Sequence, residues 1–281
     1  MINLEWLTMQ LSTPDAMQPR MSSAEQALYE DVLNESPPRC RICRRDYHDC
    51  APMGDKMVGR AFAVNRLLQQ FENASYLEIG VAKGKTFHEI SAYRKTAVDP
   101  KFQFDVTEAR RANPHSSYHQ VASDDFFGSI ADHRQLFDVI NIDGLHTAEQ
   151  TLRDLLNAMS HLAPKGIIII DDTRPSSHLA SIADFSVRQQ VASYLKSNDH
   201  AWMGDVFRVV YFLESMCQQF SFRTIQENHG QTVVWRKRRP KVRSRTLSYI
   251  GGRTFEDLVT ELDVLRLAPF EEILSELSDR R

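Results

Sequence analysis

The sequence predicts an α/β fold: a seven-stranded, mostly parallel sheet with helices on both faces and its last strand antiparallel. Three observations carry this. From about Met57, five short apolar runs alternate with four stretches of helical periodicity. The runs are apolar on both sides, as strands are when both faces of a sheet are covered. Near the end, Phe220–Gln226 and Gln231–Arg236 read as two more strands joined by Glu-Asn-His-Gly, a hairpin that adds an antiparallel strand.

Each element follows in order. Residues 1–56 have little periodicity and form an extension, with one helix around Ser23 to Leu33 that ends before Pro37-Pro38. A helix from Gly59 to Phe71 groups Phe62, Val64, Leu67 and Leu68 on one side. The predicted strands are Tyr76–Ile79, Thr96–Asp99, Ser117–Val121, Phe137–Ile142 and Gly166–Asp171. Helices are predicted between them near Thr86–Tyr93, Phe104–Arg111, Asp124–Asp132 and Ala148–Leu162. After the break at Gly204, Asp205 is placed to cap a helix running to Met216. Residues 246–281 supply one or two short helices, one capped by Thr254 and the last starting after Pro269. The domain division is an extension (1–56), a core domain (57–236), and a basic linker with terminal helices (237–281).

Composition narrows the function classes. A net charge of −3 creates no global field for nucleic acid or an acidic membrane. The most apolar stretch, Ile167 to Ile170, is far short of the roughly 20 residues that span a bilayer. The N-terminus does not read as a signal peptide. Four cysteines, three of them between Cys40 and Cys50, do not form a secreted disulfide framework. A cytoplasmic location is expected, with no membrane partner and no nucleic acid, and self-association is left open.

Ligands of open α/β sheets bind outside the carboxyl ends of the strands, where strand order reverses. The first strand ends at Glu78-Ile79-Gly80, and Gly84 precedes the next helix. Glycines there let the backbone turn sharply and approach a ligand closely. The middle glycine of a G-x-G-x-x-G loop is Ala82 here, so the loop alone indicates only nucleotide binding. Asp99 closes the second strand at the separation of roughly 20 residues where an acid meets ribose hydroxyls. Its alternative is a solvated Asp-Pro turn. Ser123-Asp124-Asp125 offers polar groups where an adenine would lie, or an ordinary helix cap.

Leu-Glu-Ile-Gly-Val-x-x-Gly-x-Thr, followed by Asn-Ile-Asp-Gly-x-His and Ile-Ile-Asp-Asp-Thr, resembles the class I S-adenosylmethionine-dependent methyltransferases. The branch it is most similar to is methyltransferase family 24, related to the O-methyltransferases of macrolide sugars and catechols. The resemblance covers about Gly59 to Arg236 and implies a Rossmann-like sheet. It implies S-adenosylmethionine as cofactor, bound by Glu78, Gly80, Gly84 and Asp99; Asp124, read above from its place after the third strand, is the further candidate for cofactor binding. Lys83 and Lys85 flank this loop, as solvated surface or as an attraction for an anionic substrate.

Asp143 closes the fourth strand and Asp171-Asp172 the fifth, strands that lie about 4.8 Å apart when paired. Carboxylates that close need a proton or a cation. A hard cation such as Mg2+ suits them, so Asp143, Asp171 and Asp172 are the candidate metal ligands. The pair is Asp-Asp where the catechol enzymes have Asp-Asn, a departure that leaves metal use open. The alternative is that Asp143 accepts a substrate hydrogen bond and Asp171-Asp172 form a polar turn. His146, after Asp-Gly-Leu, is the candidate general base beside Asp143, or else a helix-capping or solvated residue. His178, Phe185, Tyr194 and Trp202, within Thr173–Met203, either cover the acceptor or pack helices.

These readings predict methyl transfer to a hydroxyl of a small acceptor, sugar or phenol-like. The competing classes are a nucleotide-dependent oxidoreductase and a non-catalytic protein that binds nucleic acid or a partner. Cys40-x2-Cys43-x4-His48-x-Cys50 invites a zinc reading, but its last gap is too tight for the usual ligand arms. The run Arg236 to Arg245 is dense in charge without interleaved aromatics, so it reads as a solvated linker rather than a base-stacking surface.

Overall fold

The computed structural model describes residues 57–132 and 134–279. The helix expected at Ser23 to Leu33 and the Cys40–Cys50 cluster lie outside the described residues.

Eight strands form one sheet: β1 (Ser75–Ile79), β2 (Arg94–Val98), β3 (Ser116–His119), β4 (Phe137–Ile142), β5 (Leu162–Ile170), β6 (Phe220–Ile225), β7 (Thr232–Arg236) and β8 (Leu267–Ala268). Their order is β3-β2-β1-β4-β5-β7-β6-β8. The first five strands are mutually parallel, and β7 runs antiparallel to both its neighbours. The α/β sheet is the one the sequence predicts, with one strand more. The extra strand β8 is two residues long, entered from left-handed Arg266 (φ 51°) and closed by Pro269, too short to leave a periodic signal.

β5 begins four residues before the predicted start, and its register with β4 shifts between Phe137 and Val139. Ala163 to Gly166 form the irregularity. Pro164 has no N–H to give a ladder, and a Cβ on Gly166 would lie 2.7 Å from the Leu162 side chain. Beyond it, Ile167 to Ile170 are fully buried, as a central strand covered on both faces must be.

The helices in order are α1 (Arg60–Leu68), α2 (Lys85–Glu89), α3 (Val106–Ala112), α4 (Ser123–Asp125, continued by a π-turn Phe126–Ile130), α5 (Ala148–Ser160), α6 (Phe185–Tyr194), α7 (Phe207–Met216), α8 (Leu247–Gly251), α9 (Phe255–Thr260) and α10 (Phe270–Ser278). Among the described residues no helix is long and apolar enough to cross a membrane. Thr254 caps α9 in a reciprocal capping box with Asp257. Asp205 does not cap the helix that follows it. Its Oδ1 accepts from the Ala148 amide at 2.6 Å and so satisfies the N-terminus of α5, 57 residues earlier in the chain.

The basic run after β7 is largely exposed, with two exceptions. Arg239 is 3% exposed and donates to the carbonyls of Leu213, Glu214, Cys217 and Phe220 at 2.6–3.1 Å. It therefore closes the C-terminal end of α7, where unpaired carbonyls and the helix dipole favour a cation. Arg245 pairs with Glu214 at 2.5 Å and Glu261 at 3.3 Å.

Candidate functional site

Strand order reverses between β1 and β4, and the loops leaving those two strands run side by side. Gly80 follows β1 with φ 86°, and a Cβ there would sit 1.9 Å from the Asp143 carbonyl oxygen. Only glycine permits both the turn and the contact. Two residues on, Ala82 is also left-handed (φ 44°), an uncommon state for a residue with a Cβ. Its amide donates to Asp99 Oδ2 at 2.8 Å, which holds it there.

Above these loops lies a cavity of about 680 Å3. Glu78, Gly80, Asp99, Asp124, Asp143 and His146 all line it. Gly84 does not; it turns the chain (φ 71°) into α2. Asp171 and Asp172 sit behind the wall, buried at 2% and 3% exposure.

Glu78 is 1% exposed and accepts from the Tyr76 hydroxyl at 2.5 Å. Burial raises its pKa to about 8, with Asp143 and Asp171 adding to the rise and the Tyr76 hydrogen bond and Lys95 opposing it. Asp99 uses one oxygen on Ala82 and the other on the Lys101 amide at 2.7 Å. A carboxylate has further lone pairs, so both oxygens can also accept from a ligand. Gln150 Nε2 lies within 3.3 Å of Ser123 Oγ, Asp124 Oδ1 and Asp154 Oδ1, which links the start of α4 to α5.

The acids closing β4 and β5 converge as the sequence predicts, but around a partner the sequence reading missed. Arg60, at the start of α1, places Nη1 3.2 Å from Asp143, Nε 2.7 Å from Asp171 and Nη2 3.3 Å from Asp172. His229 is the second missed residue, with Nε2 2.9 Å from Asp171 Oδ1. Topology explains its position: Ile170 pairs with Thr232, so the loop before β7 must lie at the carboxyl end of β5. That signal was available in the predicted hairpin. Arg60 left none, because a charge at a helix start is ordinary surface in most sequences.

His146 points its Nδ1 at the Trp202 carbonyl (2.8 Å) and Asp172 Oδ2 (3.3 Å), and its Nε2 lies 3.7 Å from Asp143 Oδ1. Burial works against its charged form, but Asp143 and Asp172 outweigh burial and raise its pKa to about 9. Burial and the neighbouring acids push Asp172 up to about 7 and raise Asp143. Burial would raise Asp171 too, but His229 and Arg60 hold it below the usual range. The His146 ring stacks on Trp202 at 4.6 Å, and Phe185 packs against that indole at 4.8 Å. His178 instead pairs with Glu256 at the surface, and Tyr194 is 72% exposed, so neither covers the cavity.

Among the described residues, two sets of side-chain atoms have the reach of a cation site: Asp143, His146 and Asp172, and Asp171, Asp172 and His229. Their chemistry suits a hard cation, and the buried Asp171 Oδ2 and Asp172 Oδ2 meet only ion-pair partners, Arg60 Nε and His146 Nδ1. Arg60 shares the oxygens of both sets.

Residues 77–173 match the family described as a methyltransferase domain. Among solved structures, the chain is similar to the O-methyltransferase from Bacillus cereus in complex with SAH, at 17% identity and TM-score 0.42, covering 83% of this chain and 96% of that one. It is also similar to the N-methyltransferase NodS from Bradyrhizobium japonicum WM9, at 16% identity and TM-score 0.39, covering 64% and 95%. No curated protein matches the chain. The family match begins inside β1 and ends at Thr173, just past the Asp171-Asp172 pair, so it spans the strand ends that frame the cavity. Residues 77–173, the stretch that frames the cavity, are thus similar to a methyltransferase domain.

Proposed function

We propose that the chain transfers the methyl group of S-adenosylmethionine to a hydroxyl of a small sugar or phenol-like acceptor, with His146 and Asp143 as the acid–base pair. One observation carries this reading: His146 and Asp143 line the same cavity as Glu78, Gly80 and Asp99. In this reading Glu78 faces the cofactor's amino group, Asp99 its ribose hydroxyls and Asp124 the adenine side. Gly80 lets the cofactor lie close to the backbone.

The sulfonium is already a good leaving group, so the protein's part is alignment and exclusion of water. The acceptor oxygen attacks the methyl carbon, the carbon–sulfur bond breaks, and the hydroxyl proton passes to neutral His146. Asp143 and Asp172 stabilise the imidazolium that results. Leu145, 58% exposed at the cavity, and Trp202 provide apolar surface for the acceptor ring.

A second reading is favoured by the clustered donor atoms of Asp143, His146, Asp171 and Asp172. These residues would hold a cation such as Mg2+, which would polarise the acceptor hydroxyl as a Lewis acid.

Asp143→Ala and His146→Ala test the assignment. Both are expected to abolish methyl transfer across a panel of sugars and phenols, with S-adenosylmethionine affinity by calorimetry nearly intact and no response to NAD. Full activity in both variants would move the chemistry elsewhere.

A further inference from the structure

We propose that Arg60 is the resident cation of the carboxylate cluster, a positioning residue seated where a divalent ion would otherwise sit. The inference rests on the proposed O-methyl transfer only for its effect on His146. Its basis is geometric. Each of the three guanidinium nitrogens lies beside a different carboxylate, Nη1 by Asp143, Nε by Asp171 and Nη2 by Asp172, at 2.7–3.3 Å, and Nε donates its hydrogen bond to His229 Nε2 at 2.8 Å. The side chains of these acids are 14%, 1% and 4% exposed, against 38% for Arg60, so the guanidinium closes the cluster from the solvent side.

Neither set of possible ligand atoms is free of Arg60. Both use Asp172, whose Oδ1 is held by Nη2, and each uses one further acid that another guanidinium nitrogen contacts. A hard cation draws its oxygens to about 2.0–2.6 Å, whereas the planar fork spreads them around its rim. A guanidinium also stays charged in a protein and cannot yield by losing a proton. The two cations therefore exclude one another. With Arg60 seated, Asp143 and Asp172 each face a different nitrogen of the His146 ring.

The test is a titration of the full chain with Mn2+, followed by the electron paramagnetic resonance of the free ion, for the wild type and Arg60→Gln. The wild type is expected to bind no Mn2+ at this site up to millimolar concentration. Arg60→Gln is expected to gain one site, tighter by about 100-fold or more once the competing charge is gone. Adding Asp172→Asn should remove it. A wild type that holds one tight ion overturns the proposal, as does a folded Arg60→Gln variant that gains no affinity.

Should Arg60→Gln fail to fold, chelation of the wild type decides. Methyl transfer unchanged by a chelator supports a resident guanidinium, and activity lost and then restored by Mg2+ overturns it. Arg60→Lys adds a readout that a purely structural role would not move. A single ammonium cannot hold three acids, so the pH profile of transfer should shift while the fold is kept. The Mn2+ titration needs no acceptor, so failure of the proposed methyl transfer would leave its result standing.

Discussion

Two acids and a carbonyl hold the His146 ring, and this sets the pH range over which it can accept a proton. Burial alone would favour the neutral ring, but Asp143 and Asp172 win and lift its pKa to about 9. A base works only when unprotonated, so kcat/KM should climb about tenfold per pH unit from neutrality and level off above about 9. A profile that levels near 6.5, the ordinary imidazole value, would show that the acids do not govern the ring. Removing one of them in Asp172→Asn should move the inflection downward. Gly80 offers a second residue-scale test. Gly80→Ala brings a Cβ to within 1.9 Å of the Asp143 carbonyl oxygen at φ 86°, so backbone must shift. The expected result is a destabilisation of about 2 kcal/mol or more and loss of cofactor binding, read by urea unfolding and calorimetry. Of the residues in this site, those closing strands were legible in the sequence. An acid at a strand end lies beside the crevice wherever the sheet goes, whether it lines the cavity, as Asp99 and Asp143 do, or sits behind its wall, as Asp171 and Asp172 do. Arg60 was not legible, since its place depends on how a distant helix closes over the sheet, whereas His229 was legible through the predicted hairpin and its pairing with β5.

At the scale of elements, Arg239 shows what composition conceals. Arg236, Lys237 and Arg238 are exposed, and nothing in their residue types separates them from the neighbour that caps α7. Arg239→Met should remove four bonds to carbonyls, three of them at the end of α7, and cost roughly 2–4 kcal/mol, measured as a lower urea midpoint. Lys237→Met, on the exposed part of the run, should change stability by no more than about 0.5 kcal/mol. Equal effects of the two changes would refute the capping role. Strand positions were legible because apolar runs bounded by turns have few other solutions. Helix caps were legible only when local: Thr254 closes its own helix with Asp257, whereas Asp205 caps one that began 57 residues earlier. Sequence spacing carries no record of such a contact.

For the whole molecule, the sheet buries an acid at its centre, and stability should record it. Burial raises Glu78 from its ordinary value of 4.5 to about 8, so between those values the folded state holds a proton that the unfolded chain has lost. Its contribution to stability is full below pH 4.5 and disappears as pH rises through about 8. His146 acts in the same sense, its contribution being lost as pH passes about 9. Asp171, held low, contributes in the opposite sense and only at the acid end. Tm without cofactor should therefore fall between pH 6 and 9, and Glu78→Gln should flatten that fall. A variant with an unchanged slope would show that Glu78 is ionised in the fold. The cofactor adds a linked test. An ammonium beside Glu78 favours its ionisation, so binding near pH 7 should release a proton, seen as a heat that varies with the buffer's ionisation enthalpy.

The loop from Asp143 to His146 is pinched between two glycines, Gly80 against the Asp143 carbonyl and Gly204 (φ 60°) against that of His146. Both contacts are made by main chain, so the backbone of residues 143–146 is fixed against its neighbours without any side chain as intermediary. The acceptor wall proposed at Leu145 and Trp202 can then be redecorated without moving that backbone. A library confined to those two positions should change which hydroxyl is methylated far more than it changes how tightly the donor binds.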